Sequence, residues 1–458
     1  MNRPYHRGMG DVVWLRRDLR RSDLPTLARA AEAGPVTVLF VVDPALWDPA
    51  ARTPRRRWLA ACLLALREAY DGRLTLRMGD PAVVVPEVTR EVGATAVHVC
   101  EETEPDGAAR DRRVEAALGV VPLVRTGSPY AVTPGRVRKP TGEPYVVFTA
   151  FSKAWRQHGW RAPADEPRTL QLGADRSEVG AWALVAAAAD GRSPGLPAVG
   201  EEGAAAAWEA FLDSGLDGYA ADRDRPDLDA TSRMSPYLKL GVVHPRTLLA
   251  DLAHRRAPGA DRFVTELAWR EFYADVLHHH PRSLWEDLRP ELASMAYDDD
   301  AELVDAWRTG RTGVPLVDAG MRQLLTTGWM HNRVRMIAAS FLIKHLLIDW
   351  RKGEQWFWDT LVDADLASNQ HGWQWVAGTG TDAAPYFRVF NPVLQGERFD
   401  PEATYIRTYL PELAGLTVAG AHRPWTVDPE KRDGYPDPVV DLDAERRDAL
   451  ARHRAARS

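Results

Sequence analysis

Between Gly328 and Phe390 the sequence sets basic and amide side chains among closely spaced indoles and adds two carboxylates two residues apart. The stretch opens T-G-W-M-H-N-R-V-R-M, continues D-A-D-L-A-S-N-Q-H-G-W-Q-W and closes T-G-T-D-A-A-P-Y-F-R-V-F-N-P. It holds no hydrolytic triad and no metal-ligand spacing. Its parts could hold a redox-active aromatic cofactor, feed it electrons and present it to an anionic polymer. Of the 17 tryptophans in the chain, Trp350, Trp356, Trp358, Trp373 and Trp375 crowd into this region. Each indole taken singly reads as a large, partly buried packing group. A closely spaced series can also pass electrons.

The helix expected after His331 carries Asn332, Met336, Ala339 and Ile343 at four- and three-residue spacing, so they share one face. Arg333 and Arg335 flank that face. A solvated basic helix is one reading; an amide and a thioether beside two guanidinium groups also suit a planar, anionic ligand. Asp363 and Asp365 could do acid–base work or hold a divalent cation. A hard cation needs several oxygen ligands, and no third acid or suitably spaced histidine lies nearby, so no metal site is expected. An ion pair of Asp363 with Arg335 fits the sequence as well. Thr231, Ser232, Arg233, Met234 and Ser235, ahead of a helix, offer hydroxyls and N–H groups either to a phosphate or to an ordinary N-cap. Further on, Glu266 and Trp269 share a helix face with Arg270 and Tyr273. A carboxylate there could bond a base edge while the indole stacks on the ring.

These residues need a scaffold, and 458 residues imply two domains. Short β-branched runs at 12–15, 36–42, 74–77 and 96–99 alternate with helical patterns at 26–33, 55–70 and 86–92. That alternation predicts a doubly wound, Rossmann-like parallel sheet. The G-x-G-x-x-G turn of a dinucleotide fold is missing after the first strand, where W-L-R-R-D-L-R stands instead. Residues 163–203, rich in Ala, Gly, Pro and acids, read as a connection across a surface. Helical patterns follow at 238–253, 261–279, 316–326, 332–350 and 354–361, so the second domain should be nearly all α. The expected division is an α/β domain over 1–130, a connector over 131–203, a helical domain over 204–435 and a charged tail over 436–458.

Composition narrows the setting. Hydrophobic and charged fractions of 45% and 27% are those of a soluble globular chain. The longest apolar run, 36–42, is too short to span a bilayer, and the N-terminus lacks a signal-like apolar region. Arg16-Arg17 precede charge rather than apolar sequence, which argues against twin-arginine export. Two cysteines, Cys62 and Cys100, cannot build a disulfide framework and read as buried thiols in a cytoplasmic protein. A net charge of -6 argues against an all-over basic coat. It leaves room for a local basic cleft, because charges act on phosphates within about 10 Å at physiological salt.

The order of these motifs resembles the class I cyclobutane pyrimidine dimer photolyases of the photolyase/cryptochrome family. The resemblance runs from V-V-W-L-R-R-D-L-R through Y-V-V-F-T-A-F-S-K-A-W and T-S-R-M-S, and is densest from Trp269 to Pro392. It implies an α/β antenna domain, a long connector and an all-α C-terminal FAD domain. Tyr219 and Phe263 match flavin-pocket positions, the latter often Trp in relatives, and Thr231 to Ser235 match the loop around the FAD diphosphate. Asp363, Ala364 and Asp365 match the segment against the isoalloxazine and ribityl portion, with Arg335 as partner of Asp363. Glu266 and Trp269 match the residues that bond and stack on a flipped dimer, and Arg223 matches a DNA contact. Asn332, Arg333, Met336, Trp375 and Gln395 match the lesion pocket and its DNA approach; Arg270 and Tyr273 join the expected DNA contacts.

Asn369 matches the residue facing the flavin N5, where plant cryptochromes carry Asp and animal ones Cys. Asn332 and Met336 stand where (6-4) photolyases carry two histidines. The first favours dimer repair over a cryptochrome-like light sensor, the alternative reading, and the second favours it over repair of the (6-4) product. The implied reaction is electron donation from excited FADH⁻ to the flipped-out dimer, ring opening, and return of the electron. Trp373 and Trp350 match the photoreduction chain, whose outer position falls on Tyr297. Folate-type antenna contacts are not evident, since Gly107 stands for an acidic residue and Trp285 for Lys. A folate, a deazaflavin, a different flavin or no antenna at all stays open. UV-damaged DNA is the expected partner of a monomer without an obligate protein partner.

Overall fold

In the computed structural model, which describes residues 10–456 except 45–46, 48–52, 192–194, 291–294 and 382–387, the chain opens with a five-stranded parallel sheet. Its strands are β1 (Asp11–Leu15), β2 (Val36–Val42), β3 (Thr75–Met78), β4 (Val97–Val99) and β5 (Leu123–Arg125), in spatial order β3-β2-β1-β4-β5. Helices α1 (Pro25–Ala31), α2 (Pro54–Ala69), α3 (Pro81–Val92) and α4 (Pro105–Leu118) connect them. Every residue of β1 and β2 is buried. Val13 and Leu15 face the core shared with α1 and α2, whereas Val12 and Trp14 face α3 and α4. Cover on both faces is why these strands read as unbroken apolar runs.

The strand order reverses between β1 and β4. In open sheets of this kind ligands lie outside the strand ends at such a point; here that edge carries Arg16, Arg17 and Glu102. Two elements of this module were not expected, α4 and β5. The first is polar on most of its surface, and the second is a three-residue edge strand. Neither shape leaves a strong periodic signal.

The rest is helical: α5 (Phe148–His158), α6 (Ala181–Ala189), α7 (Gly200–Ala210), α8 (Tyr219–Asp222), α9 (Ser235–Leu240), α10 (Pro245–Leu252), α11 (Pro258–His279), α12 (Ala301–Thr309), α13 (Pro315–Thr327), α14 (Asn332–Lys344), α15 (Trp350–Thr360), α16 (Leu366–Ala377), α17 (Pro392–Phe399), α18 (Thr404–Tyr409), α19 (Val418–His422) and α20 (Leu442–Ala455). Two expected helices are each split. The pattern over 238–253 breaks at Gly241, whose φ of 65° is left-handed, and Pro245 starts α10. That over 332–350 stops at Lys344, turns at Leu347 with φ 53°, and restarts at Trp350 behind an Asp349 cap. The supposed surface connection contains α6, which packs on α2. The supposed tail is a docked helix: Ala449 is fully buried and Arg452 pairs with Asp298.

One apolar core runs from the inner sheet face through α2 to α9, α10 and α11. A second lies among α12 to α16 and α18. They meet where α11 packs on α16. No helix among the described residues is long and apolar enough to cross a membrane. Cys62 and Cys100 are buried thiols, and burial pushes Cys62 up to about 12.

Candidate functional site

The site lies along that seam. On its inner side the Asp363 carboxylate receives both contacts from one Arg335 nitrogen, at 3.1 and 2.9 Å, and the Ser235 hydroxyl at 2.5 Å. The ion pair expected from sequence is present, and the serine adds a second donor. The loop ahead of α9 is not an ordinary side-chain cap, for Met234 at the cap position supplies none. Arg233 has φ 51°, and its guanidinium lies 4.8 Å over the Trp329 ring. The Ser232 hydroxyl accepts from the Met234 N–H at 3.3 Å. Thr231 is half-buried; Met234 and Ala364 are buried beneath the loop and the Asp363 turn.

Asp365 faces the opposite way from Asp363. One oxygen caps α16 by accepting the Ser368 N–H at 3.0 Å, and the other faces Arg17 at 3.3 Å. Lys239, Arg17 and Arg270 together hold its carboxyl well below the usual range against the cost of burial. In the first turn of α16 the Asn369 amide donates to Glu354 Oε1 at 2.8 Å and to the Glu354 carbonyl at 3.2 Å. Burial pushes Glu354 up to about 7, a rise that its bonds from Gln370 and Asn369 restrain. Tyr219 and Phe263, 5.6 Å apart between centroids, close this side within an aromatic cluster that includes Trp208 and Phe211. Hydroxyls, an arginine–aspartate pair, a fixed amide and aromatic walls are the donor set of a large planar dinucleotide, and FAD fits it. Among the described residues no group of three or more His, Cys, Asp or Glu is placed to hold a metal ion.

The outer side is more open. Glu266 is gripped by Arg223 and by Arg262, the latter at 3.0 Å. Arg223 lies 3.7 Å from Asp224, which in turn accepts from Arg333 at 2.6 Å. Glu266, Arg223, Asp224 and Arg333 thus form a chain of alternating charge from α11 across α8 to α14. Trp269 stacks flat on Phe148, with centroids 3.5 Å apart and planes 6° from parallel. Asn332 is exposed, and its amide lies 4.0 Å from the Met336 sulfur. Trp375 and Gln395 are half-buried on α16 and α17.

Two expected DNA contacts point inward instead. Arg270 donates to the Pro129 and Leu238 carbonyls at 3.2 and 3.3 Å, and its guanidinium lies 4.5 Å over Tyr130. Tyr273 stacks on the buried His371 at 5.7 Å. Both positions rotate off the Glu266 face into the packing of α11 on its neighbours. Residues 382–387, the D-A-A-P-Y-F part of the last motif, lie outside the described residues.

The aromatic series is partly visible. Trp373 is buried, edge-on to Phe357 at 5.0 Å and to Trp307 at 6.1 Å. Trp350 donates its indole N–H to Asp287 at 2.9 Å. Burial and the Asp349 and Asp287 carboxylates push the Tyr297 hydroxyl up. Trp285, opposite in character to a lysine, is 67% exposed, and Gly107 lies tight against the Glu102 side chain. Sequence reasoning missed Arg262, Phe148, Glu354 and Arg17. Arg262 was legible as the i, i+4 neighbour of Glu266; the other three act across long sequence separations.

Known proteins place this geometry. Residues 11–168 match the family model described as DNA photolyase, and 263–455 match the FAD binding domain of DNA photolyase. A deoxyribodipyrimidine photo-lyase of Thermus thermophilus is 41% identical over 95% of this chain and 96% of its own length. The crystal structure of a class III photolyase from Agrobacterium tumefaciens superposes with TM-score 0.89 at 37% identity, covering 98% of this chain and 97% of that one. A Synechocystis cryptochrome superposes with TM-score 0.87 at 26% identity, covering 96% and 98%. These likenesses carry the family and the FAD domain; they do not carry the class I subdivision.

Proposed function

The chain belongs to the photolyase/cryptochrome family, and on that premise we propose that it repairs cyclobutane pyrimidine dimers in DNA, driven by light, with reduced FAD as cofactor. One observation carries the reading. Helix α14 sends Arg335 to the enclosed Asp363 turn and Arg333, two residues earlier, to the open charge chain ending at Glu266. A cofactor bed and an anion-facing surface therefore share one rigid helix. The chemistry that bound FAD supplies is light-driven donation of one electron to the dimer.

The chain's own residues bind and orient. Ser235, Arg335 and Asp363 fix the inner bed, and Asn369, held by Glu354, presents an amide to it. Arg223 and Arg333, each resting on an acid, can exchange Asp224 and Glu266 for DNA phosphates at little cost in unpaired charge. That exchange frees Glu266 to bond a flipped pyrimidine while Trp269, braced by Phe148, stacks on it. Unstacking is cheapest for a damaged step, which gives selectivity. Trp373, Trp350 and Tyr297 form the photoreduction route in this reading, with Asp287 and Asp349 near the tyrosine for its proton. UV-damaged DNA is the partner in this reading, and a monomer without an obligate protein partner remains part of the proposal. Reduced, buried thiols support a cytoplasmic setting. The boundaries at 130 and 203 belong to this reading; the one at 435 does not, because the final helix docks on the helical body.

The test is blue-light repair of dimer-containing DNA by the purified, photoreduced protein, followed as recovery of thymine absorbance against a dark control. Light-dependent recovery is expected. Bound, reduced FAD without recovery would move the light-sensor reading to the front, and the action spectrum would report any antenna.

A further inference from the structure

Arg17 leaves the end of β1 and crosses into the helical module. Its side chain is 13% exposed. One terminal nitrogen lies 3.3 Å from Asp365 Oδ2 and 3.3 Å from the Tyr130 hydroxyl. The other sits between Glu104 and Glu102, the latter at 3.6 Å. Its backbone is pinned as well. The Leu19 N–H donates to the Leu240 carbonyl at 3.1 Å, and a Cβ at Gly241 would lie 1.9 Å from the Arg17 carbonyl oxygen. This is a fixed strut between modules rather than a solvated arm.

We propose that Arg17 is a positioning residue for the flavin: it orients Asp365, and through Asp365 sets the first turn of α16 that carries Asn369. The inference rests on the FAD reading above. With one Asp365 oxygen on Arg17 and the other capping α16 through Ser368, the carboxylate cannot turn without breaking one of the two. Asn369 follows on the next residue, its N–H bonded to the Asp365 carbonyl at 2.8 Å. Two further cations, Lys239 foremost, act on the same carboxylate through their charge without a direct bond to it. Arg270 is spent on two backbone carbonyls, and Lys239 lies 5.4 Å over the Trp358 ring. Among the described residues, Arg17 is the cation bonded to the Asp365 side chain. The α/β module thereby contributes a residue to cofactor geometry, whatever it holds at its own sheet edge.

The test compares full-length Arg17→Gln and Arg17→Lys with the parent, reading the FAD dissociation constant, the visible circular dichroism of bound flavin, and Tm. Arg17→Gln is expected to weaken FAD binding by about ten-fold, the scale of one charge-assisted hydrogen bond, and to shift the flavin band. Arg17→Lys, which keeps the charge but reaches one acid at a time, should fall between. On an Asp365→Asn background Arg17→Gln should add little. A lowered Tm with parent FAD affinity and parent dichroism would reduce Arg17 to an interface contact and overturn the proposal; so would a full, additive effect on the Asp365→Asn background. If Arg17→Gln does not fold, Arg17→Lys decides, and parent values there overturn the proposal too. A parent protein that takes up no FAD would instead sink the cofactor reading.

Discussion

The two sides of the site are built on opposite terms. Asp363 is 2% exposed and Asp365 9%, each with its oxygens satisfied by fixed donors. Glu266 is 26% exposed, its Arg262 partner 43%, and the Arg333 partner Asp224 32%. Buried and fully bonded groups hold one arrangement, since leaving any member unpaired costs its full desolvation. Ion pairs with one member partly open to water, as here where Arg223 and Arg333 are 13% and 19% exposed, contribute less and exchange partners more readily. The inner side is thus set before any ligand arrives, and the outer side is made to be rearranged by one.

The largest break in that contrast should come from Asp363→Ala. It strands Arg335 and the Ser235 hydroxyl at once, and should cost about 2 kcal/mol, less than a fully buried pair because Arg335 keeps access to water. A lower Tm and loss of flavin on gel filtration would show it; full flavin retention would remove Asp363 from the cofactor bed. Glu266→Ala should do the reverse. Flavin content and Tm stay near the parent, while repair yield per photon falls severalfold with a smaller loss of DNA binding. An unchanged quantum yield would contradict the role given to Glu266. Next in size, Tyr297→Phe should slow photoreduction in vitro and leave repair by chemically reduced protein intact. A terminal tryptophanyl radical in parent transient absorption would defeat the tyrosine assignment.

The smallest effect concerns the helix that carries the outer side. Glu271 clamps α11 to the connector by accepting the Val132 N–H at 2.9 Å and the Trp155 indole at 2.8 Å. Burial pushes it up to about 7 from an ordinary 4.5. The folded state keeps a proton that the unfolded chain has released, so this contribution is complete below pH about 4.5 and lost as pH rises toward 7. His331, His345 and His371, each lowered to about 4 by burial, act in the opposite sense as pH falls. The readout is therefore the difference in Tm between parent and Glu271→Gln at pH 5 and pH 8, and it should narrow toward the higher pH. An equal difference at both would mean that Glu271 does not titrate with folding.

Much of this was legible in the chain. Periodicity located β1 and β2 because both faces of the sheet are covered, and α11 and α13 because their apolar spacing is regular. It failed at Gly241 and Leu347, where a left-handed residue turns the chain inside an unbroken helical pattern. Glu266 with Trp269, and Arg335 with Asp363, could be named because residue type and spacing limit what such groups can do. Arg270 and Tyr273 shared the right face on a helical wheel, yet the packing of α11 on Pro129 and His371 drew them inward.

The sequence by itself determined the chemical inventory: which side chains carry charge, which stack, and which helix bears them. Tertiary structure alone decided which acid each arginine meets. Arg17 reaches Asp365 across 348 residues of chain, and Asn369 meets Glu354 from a neighbouring helix. Local spacing cannot encode such pairs, because their distances are set by how the sheet edge, α9 and α16 pack. That packing is fixed by burial summed over both cores rather than by either partner.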